Sequence, residues 1–172
     1  MDKKTLESAL AAPLVAHGFQ KKASSWYRQA DETLQVVDLQ KSAYGLQFYL
    51  NLCCVPAGME VEGMPTPKEH KCPIRIRLTS AFPERREQIE EALDLERTSL
   101  DDAQRQDAVA RLTSELILPF VNHMKDAATL RQAIGEGIFK RGAVNLAAQK
   151  HLGVTEQLSP ATPDSSPQTP RG

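Results

Sequence analysis

The residues best suited to chemistry are two arginines that alternate with isoleucines in the segment IRIRLT, residues 74–79. Because successive side chains of a β-strand point to opposite faces, Arg75 and Arg77 are expected to lie side by side on one face. Two guanidinium groups placed this way can bind a carboxylate or a phosphate through paired hydrogen bonds. Polar and aromatic residues at matching positions of three other segments complete a candidate ligand-binding or partner-binding site: Trp26, Arg28, Asp38, Gln40, Tyr49, Asn51, Arg75 and Arg77.

These residues also have a purely structural interpretation. Antiparallel sheets commonly carry one solvated face, and Asp38 could simply pair with Arg75 or Arg77 across neighbouring strands. Helices from the second half of the chain could equally cover this face and satisfy its polar groups. In the functional interpretation, by contrast, Trp26 or Tyr49 stacks on a flat ligand while the arginines hold its anionic group. The sequence leaves both interpretations open.

Four segments of strand-like composition must position these side chains. β-Branched and aromatic residues dominate them, and short polar turns separate the first three, so we expect an antiparallel meander. Alternation places Leu50 and Leu52 on an apolar face and Tyr49 and Asn51 on a polar one, to which Trp26 and Arg28 are also assigned. The predicted strands are residues 24–29, 33–42, 46–55 and 74–79.

A long connection precedes the last of these strands. Residues 56–73 contain four prolines and two glycines, a composition that predicts a loop and not a helix or strand. Long loops are used sparingly in compact domains and often carry function. We therefore treat the 56–73 loop as part of the candidate site.

In the sequence, helices are predicted both before and after the strand segments. One occupies residues 4–17, with Pro13 inside it, and the later ones begin after residue 83. Pro119 should kink the longest of them, and capping boxes are predicted at Ser99 with Asp102 and at Thr129 with Gln132. The later helices are predicted at 84–94, at 99–125, from 129 to about 135 or 137, and at 143–152. The fold class is therefore α+β: an N-terminal helix, a four-stranded antiparallel β-sheet, then several C-terminal helices.

A linked series of short motifs in the first third of the chain resembles a bacterial family known only as domain of unknown function 4304. The resemblance extends over roughly residues 1–125. It implies a small α+β domain with a helix packed on a short antiparallel sheet, and it implies no activity, cofactor or site residue. The motifs are GF at 18–19, KK at 21–22, WYR at 26–28, VVDLQKS at 36–42, YG at 44–45 and FYLNL at 48–52.

Metal and catalytic sites are not expected. Cys53, Cys54, His70 and Cys72 lie in one strand-loop-strand segment, but adjacent strand residues point to opposite faces and the spacing is unlike that of structural zinc sites. No nucleophile elbow and no P-loop occurs, and the histidines are scattered. We assign no catalytic residue, no metal and no cofactor.

Composition narrows the choice of partner. The 172 residues carry 21 Lys and Arg against 22 Asp and Glu, for a net charge of −1, and this near-neutrality disfavours a nucleic-acid binder. No apolar stretch is long enough to span a membrane, the N-terminus makes a poor signal peptide, and an odd number of cysteines suits a reducing cytoplasm.

The leading expectation is therefore a cytoplasmic, non-catalytic binding module that recognises a protein partner or a small anionic ligand through the polar face of the sheet. A toxin-immunity or defence role is conceivable by analogy alone. One alternative is an enzyme on an anionic substrate, with Arg75 and Arg77 as the clamp and Asp38 as the base. The second alternative is a sheet that binds RNA or single strands, although the aromatic motif of such sheets is absent.

The chain is divided by composition into a domain at 1–153 and a tail at 154–172. The tail holds four of the eleven prolines, each after Ser or Thr, and is predicted to be disordered because it cannot bury enough apolar surface. Two PxxP spacings would also suit an SH3-type domain, and the Ser/Thr-Pro pairs would suit phosphorylation.

Overall fold

The computed structural model describes residues 1–154, and in them helices cover one face of an antiparallel sheet. The predicted α+β class, with its helix–sheet–helices order, is confirmed. The sequence prediction for the proline-rich tail falls outside the described residues. The first half of the chain contains α1 (Lys3–Ala16), β1 (Gln20–Lys22), β2 (Ser25–Gln29), β3 (Thr33–Lys41), β4 (Phe48–Pro56) and β5 (Ile74–Arg77).

The sheet has six strands in the order β1-β2-β3-β4-β5-β6, each antiparallel to its neighbours. Two short strands were missing from the sequence prediction. All three side chains of β1 are exposed, so it shows no apolar alternation, and β6 (Ala143–Val144) has only two residues. The predicted strand 74–79 was too long, because the chain turns into the short helix α2 (Leu78–Ala81) directly after Arg77.

The C-terminal half is helical, as predicted, but it consists of more and shorter helices than predicted. The expected irregularity at Pro119 takes the form of a π-helical turn, Thr113–Ile117, immediately before α5. Pro13, by contrast, lies within an uninterrupted α1. The helices are α3 (Arg86–Leu93), α4 (Asp102–Leu112), α5 (Leu118–Val121), α6 (Ala127–Gly135) and α7 (Leu146–Leu152). No helix within residues 1–154 is long and apolar enough to cross a membrane.

Both predicted capping boxes were wrong in their residues. Asp101 caps α4 together with Gln104, and Asp126 caps α6 together with Thr129. In each case an aspartate close to the predicted cap provides the side-chain acceptor. A carboxylate beside the free N–H groups of a first turn is favoured by the helix dipole as well as by hydrogen bonding.

The core lies between the helices and one face of the sheet, which we call the inner face. A cross-strand row, Trp26–Val37–Leu52–Ile76, runs across this face and is buried throughout. The helix α1 contributes Leu6, Leu10 and Leu14 to the same core. Burial of these apolar side chains supplies the main driving force for the fold.

A single buried arginine joins α4 to the end of α3. Arg105 is 2 % exposed, and no carboxylate of the described residues pairs with it. Its guanidinium instead donates to backbone carbonyls, at 2.5 Å to Glu91, 2.7 Å to Asp94 and 2.5 Å to Arg97. These carbonyls belong to the last turn of α3 and the segment after it, where no helical N–H is available. Arg105 therefore acts as a C-terminal cap supplied from another helix.

The substitution Arg105→Met should lower the free energy of unfolding by about 2–4 kcal/mol, because it leaves several carbonyls unpaired. Chemical denaturation monitored by circular dichroism would measure the loss. Arg111 is an exposed residue of the same helix, and Arg111→Met should change stability by less than about 0.5 kcal/mol. Equal stability of the two variants would contradict the capping role.

The turn before β6 presses directly on β5. A Cβ added at Gly142 would lie 2.5 Å from the carbonyl oxygen of Arg75 and 2.9 Å from Cβ of Ile76. Both distances are well inside van der Waals contact, and neither atom can move without the sheet. Only glycine therefore lets residues 136–142 close against the strand that carries the two arginines.

Gly142→Ala should destabilise the protein by about 1–3 kcal/mol, as overpacking of a rigid contact does. Gly45→Ala is the matched control, because the atom nearest its added Cβ is Glu96 Oε2 at 2.7 Å. That carboxylate ends a flexible, exposed side chain and can swing away, so the control should lose less than about 0.5 kcal/mol. Thermal unfolding of both variants measures the difference, and a harmless Gly142→Ala would show that the turn can move.

Candidate functional site

Six of the eight predicted site residues lie together on the second face of the sheet, which we call the outer face. Cross-strand register places Asp38 opposite Asn51, and Asn51 opposite Arg77. Gln40 pairs with Tyr49 in the adjoining row, and Arg75 lies two residues before Arg77 on the same strand. Strand alternation was thus sufficient to predict this group.

Trp26 and Arg28 were assigned to the wrong face. Trp26 is fully buried opposite Val37, on the inner face. Arg28 shares that face, but it lies beyond the end of the β1–β2 pairing, where its guanidinium reaches out of the core, 4.6 Å from the centroid of the Phe19 ring. Its Nε and Nη2 donate to Gln35 at 2.9 and 2.7 Å. An arginine can thus lie two residues after a buried tryptophan on the same face of a strand, because its long side chain carries the guanidinium out of the core.

Hydrogen bonds link the polar groups in the middle of the outer face. Ser25 Oγ donates to Asp38 Oδ1 at 2.6 Å, and Asn51 Nδ2 lies 3.5 Å from Asp38 Oδ2. Asn51 also donates to Gln40 at 3.1 Å, and it is almost fully buried. The ion pair between Asp38 and Arg75 or Arg77, which the structural interpretation of the sequence allowed, does not form among the described residues. These bonds hold the site's central side chains in fixed positions.

The two arginines are in different states. Arg75 pairs with Glu69 of the 56–73 loop at 3.1 Å. The guanidinium of Arg77 lies 4.2 Å from the centroid of the Tyr49 ring, and the Tyr49 hydroxyl donates to Gln47 at 3.1 Å. Arg77 is exposed, and no group of residues 1–154 accepts a hydrogen bond from its guanidinium. Its N–H groups are therefore held in place by stacking and remain available for a ligand.

The 56–73 loop covers one end of the outer face and leaves the other end open. The Tyr27 hydroxyl donates to the carbonyl of Pro67 at 3.1 Å, and burial raises the pKa of Tyr27. Under the loop, Cys72 packs with Val36 and Cys53 in a small apolar cluster. The loop thus divides the outer face into a closed apolar end and an open polar end.

A cavity of about 430 Å³ lies between the loop and the sheet. A shallower one of about 210 Å³ adjoins it beside the two arginines, and Glu69 lines both. The sequence prediction included the loop in the candidate site but assigned none of its residues to binding, because a loop carries no periodicity from which side-chain direction can be read. The loop residues missed in this way are Lys68, Glu69 and His70, and Lys22 of the exposed strand β1 was missed as well.

Charge at the site favours an anion. Lys22, Lys68, Arg75 and Arg77 line the two cavities, against the carboxylates of Asp38 and Glu69. The Arg75–Glu69 pair is internally compensated, and Asp38 accepts two hydrogen bonds from neutral groups. The remaining positive charge is carried by long side chains at the rim, where it can reach a carboxylate or phosphate.

The cysteines lie on both sides of the sheet. Cys54 belongs to the main core and Cys53 to the cluster under the loop, which agrees with the strand argument against a shared metal. Among residues 1–154, no three His, Cys, Asp or Glu side chains are grouped so that they could hold a metal ion. Burial raises the pKa of the Cys53 thiol well above its usual value, and Cys72 beside it adds to the effect. Burial likewise raises the pKa of Cys54.

The three thiols should therefore resist alkylation and disulfide-exchange reagents in the native protein at pH 8, since all three are buried and the reactive thiolate is disfavoured at Cys53 and Cys54. All three should react rapidly in urea. Ala147 is exposed on α7, so Ala147→Cys should add one thiol that reacts quickly without denaturant. Rapid labelling of Cys72 in the native protein would contradict the closed position of the loop.

The raised thiol pKa values also fix the sign of a pH effect. Above about pH 8.5 the unfolded chain ionises Cys53 and Cys54 while the folded chain does not. Stability that is fully present below that pH should then decline as the pH rises further, as denaturation at several pH values would show.

Comparison with known proteins agrees with the motifs in the first third of the chain. A family model described as domain of unknown function (DUF4304) matches residues 10–123. These residues include the second half of α1, strands β1 to β5 and helices α2 to α5. No curated protein and no solved structure matches the chain. With two thirds of its length matched, the chain belongs to the DUF4304 family.

Proposed function

We propose that this chain is a non-catalytic binding module, and that it takes a small ligand bearing a carboxylate or phosphate at the open end of the outer face. The observation that carries the proposal is the state of Arg77. Its guanidinium is stacked on Tyr49, and its N–H groups meet no acceptor in the described residues. A planar donor fixed in this way suits paired hydrogen bonding to an anionic group.

The surroundings of Arg77 support a built site. Arg75 is fixed by Glu69 at 3.1 Å, so a second guanidinium lies on the same strand face without having to be ordered. Asn51 and Asp38 are held by hydrogen bonds on the next two strands. A site whose side chains are already ordered loses less entropy when a ligand binds.

The two alternatives from the sequence receive less support. An enzyme would use Asp38 as its base, but both Asp38 oxygens face hydrogen-bond donors, one from Ser25 and one from Asn51. An RNA-binding sheet would stack bases on exposed aromatic side chains. Trp26 is buried on the inner face, and the stacking surface of Tyr49 faces Arg77.

We also propose that the module acts in the cytoplasm of a bacterial cell. Support comes from three buried free thiols, of which two are adjacent in sequence, since a secreted protein of this size would more often form disulfides. An acidic partner protein in place of the small ligand is the second candidate. The exposed, basic rim of the outer face would suit it, and a toxin-immunity or defence role would follow only by analogy.

Citrate and inorganic phosphate are suitable first probes, followed through the Nε–Hε resonances of the arginine side chains. We expect saturable shifts at Arg77 and Arg75, and weaker binding at higher salt. Arg77→Met should weaken binding at least about tenfold, the effect of losing a charge-assisted contact. Arg111→Met removes an equal charge far from the site and should leave binding unchanged.

Absence of saturable shifts with both probes would exclude the small-anion proposal. Binding of polyglutamate that is lost in Arg77→Met would then point to the acidic partner protein. The single tryptophan is a poor reporter for these titrations because it is buried on the opposite face. It is better used to confirm that each variant is folded.

A further inference from the structure

A separate cavity of about 480 Å³ lies in the helical half of the molecule. Its walls come from α2, from α5, and from the turn at 136–142 that follows α6. None of the candidate residues on the outer face lines it. The volume falls within the range of ordinary small-molecule sites.

The floor of the cavity is apolar and partly aromatic. Ala81, Phe82, Pro119, Phe120 and Ile138 line it. Phe120 meets Phe82 edge-to-face, with ring centroids 5.8 Å apart and an interplanar angle of 69°. Phe82 and Ile138 are only half-buried, so apolar surface remains at this site that a ligand would remove from water. Edge-to-face packing of this kind can be extended by another flat ring.

The rim of the cavity is cationic. Lys140 and Arg141 line its edge, and neither forms an ion pair or a side-chain hydrogen bond within residues 1–154. His123 lies next to Phe120, with centroids 6.0 Å apart. The one carboxylate at the rim, Glu115, is paired with Arg85 at 3.3 Å. The charge left without a partner is therefore positive.

The wall that carries these cations is rigid. Backbone hydrogen bonds from Ile138 to Ala133 and from Lys140 to Gly137, both 3.0 Å, close the turn on itself. Phe139 is buried and packs edge-to-face on Phe120 at 5.8 Å. Gly137 has φ +76°, and a Cβ there would meet nothing within 4 Å. Phe139 thus anchors the turn in the core, and open space remains beside Gly137.

We propose that this cavity is a second binding site, and that its ligand is a small aromatic carboxylate. The ring would lie on the floor formed by Phe82, Phe120 and Ile138, and the carboxylate would meet Lys140 and Arg141 at the rim. A purely apolar ligand leaves the two cations unused, and a purely polar anion leaves the floor uncovered. The combination of an apolar body with one negative charge is what the two surfaces together select.

The probe for this site is 3-phenylpropionate, added to the full chain labelled for backbone-amide NMR. We expect saturable shifts at Phe82, Ile138 and Arg141. Two comparison compounds separate the contributions: 3-phenylpropionamide keeps the ring and loses the charge, whereas acetate keeps the charge and loses the ring. Each should bind at least about tenfold more weakly than 3-phenylpropionate.

Two variants act on the two halves of the site. The double substitution Lys140→Gln with Arg141→Gln removes the rim charge and should weaken binding at least about tenfold. Ile138→Trp fills the cavity and should abolish binding. Lys150→Gln is the control, because it removes an exposed charge on α7. Since Lys140 and Arg141 are exposed, their replacement should leave the fold intact even if Ile138→Trp does not.

Arg77→Met distinguishes this site from the one on the outer face, and it should leave 3-phenylpropionate binding unchanged. The proposal is overturned by a lack of saturable binding, by equal binding of the amide, or by wild-type affinity in the double variant. It is also overturned by shifts confined to Arg75 and Arg77, which would place the compound on the outer face.

Discussion

The pairing of β3 with β4 is the constraint on which the rest of the structure depends. These are the two longest strands, and nine consecutive residue pairs fix their register. Because side chains alternate between faces, a slip of one residue would place the apolar side chains of one strand on the same face as the polar side chains of the other. The register that buries Val37 against Leu52 is the same one that places Asp38 against Asn51. Core formation and assembly of the candidate site are thus one event.

The two faces of this central pair are covered to different extents. Helices cover the centre of the inner face, as the burial of Val37, Leu52 and Ile76 shows. On the outer face a connecting loop covers only the end where Val36, Cys53 and Val55 lie. The side chains at each end of the outer face suit their surroundings, since apolar residues lie under the loop and polar residues lie beyond it. The order of apolar and polar residues along the strands therefore determines that the end of the outer face carrying the arginines is exposed.

Strand alternation and composition were enough to predict the fold class, the central meander and the grouping of six candidate residues on one face. The failures have particular physical causes. Trp26 and Arg28 do share a face, but it is the inner face that the helices bury and not the polar one. Beyond the pairing of β2 with β1, a guanidinium can leave the core and stack on an aromatic ring, as it does on Phe19. The alternation of side chains along a strand shows which residues share a face, but it does not show which face the helices will cover.

Other features depend on contacts between residues distant in sequence. Arg105 looks like any charged residue of an amphipathic helix, and only the packed structure shows that it caps carbonyls of α3 and the segment after it. The lining of the outer-face cavity is equally difficult to predict, since Lys22 of β1 and Glu69 of the loop both line it although they are 47 positions apart in the sequence. The arrangement of β6 likewise follows from Gly142, whose lack of a side chain matters only against the Arg75 carbonyl.

The turn at 136–142 gives the two proposed sites a common wall. Gly142 borders the shallow cavity beside Arg75 and Arg77, while Lys140 and Arg141 border the cavity among the helices. A Cβ on Gly142 would meet β5 at 2.5 Å, and Phe139 anchors the middle of the turn in the core. Gly142 is therefore closely packed on β5, and close packing of this kind transmits a displacement and does not absorb it. A ligand that moved the turn in one cavity would therefore also move a wall of the other, so a physical route between the sites exists in the packing itself.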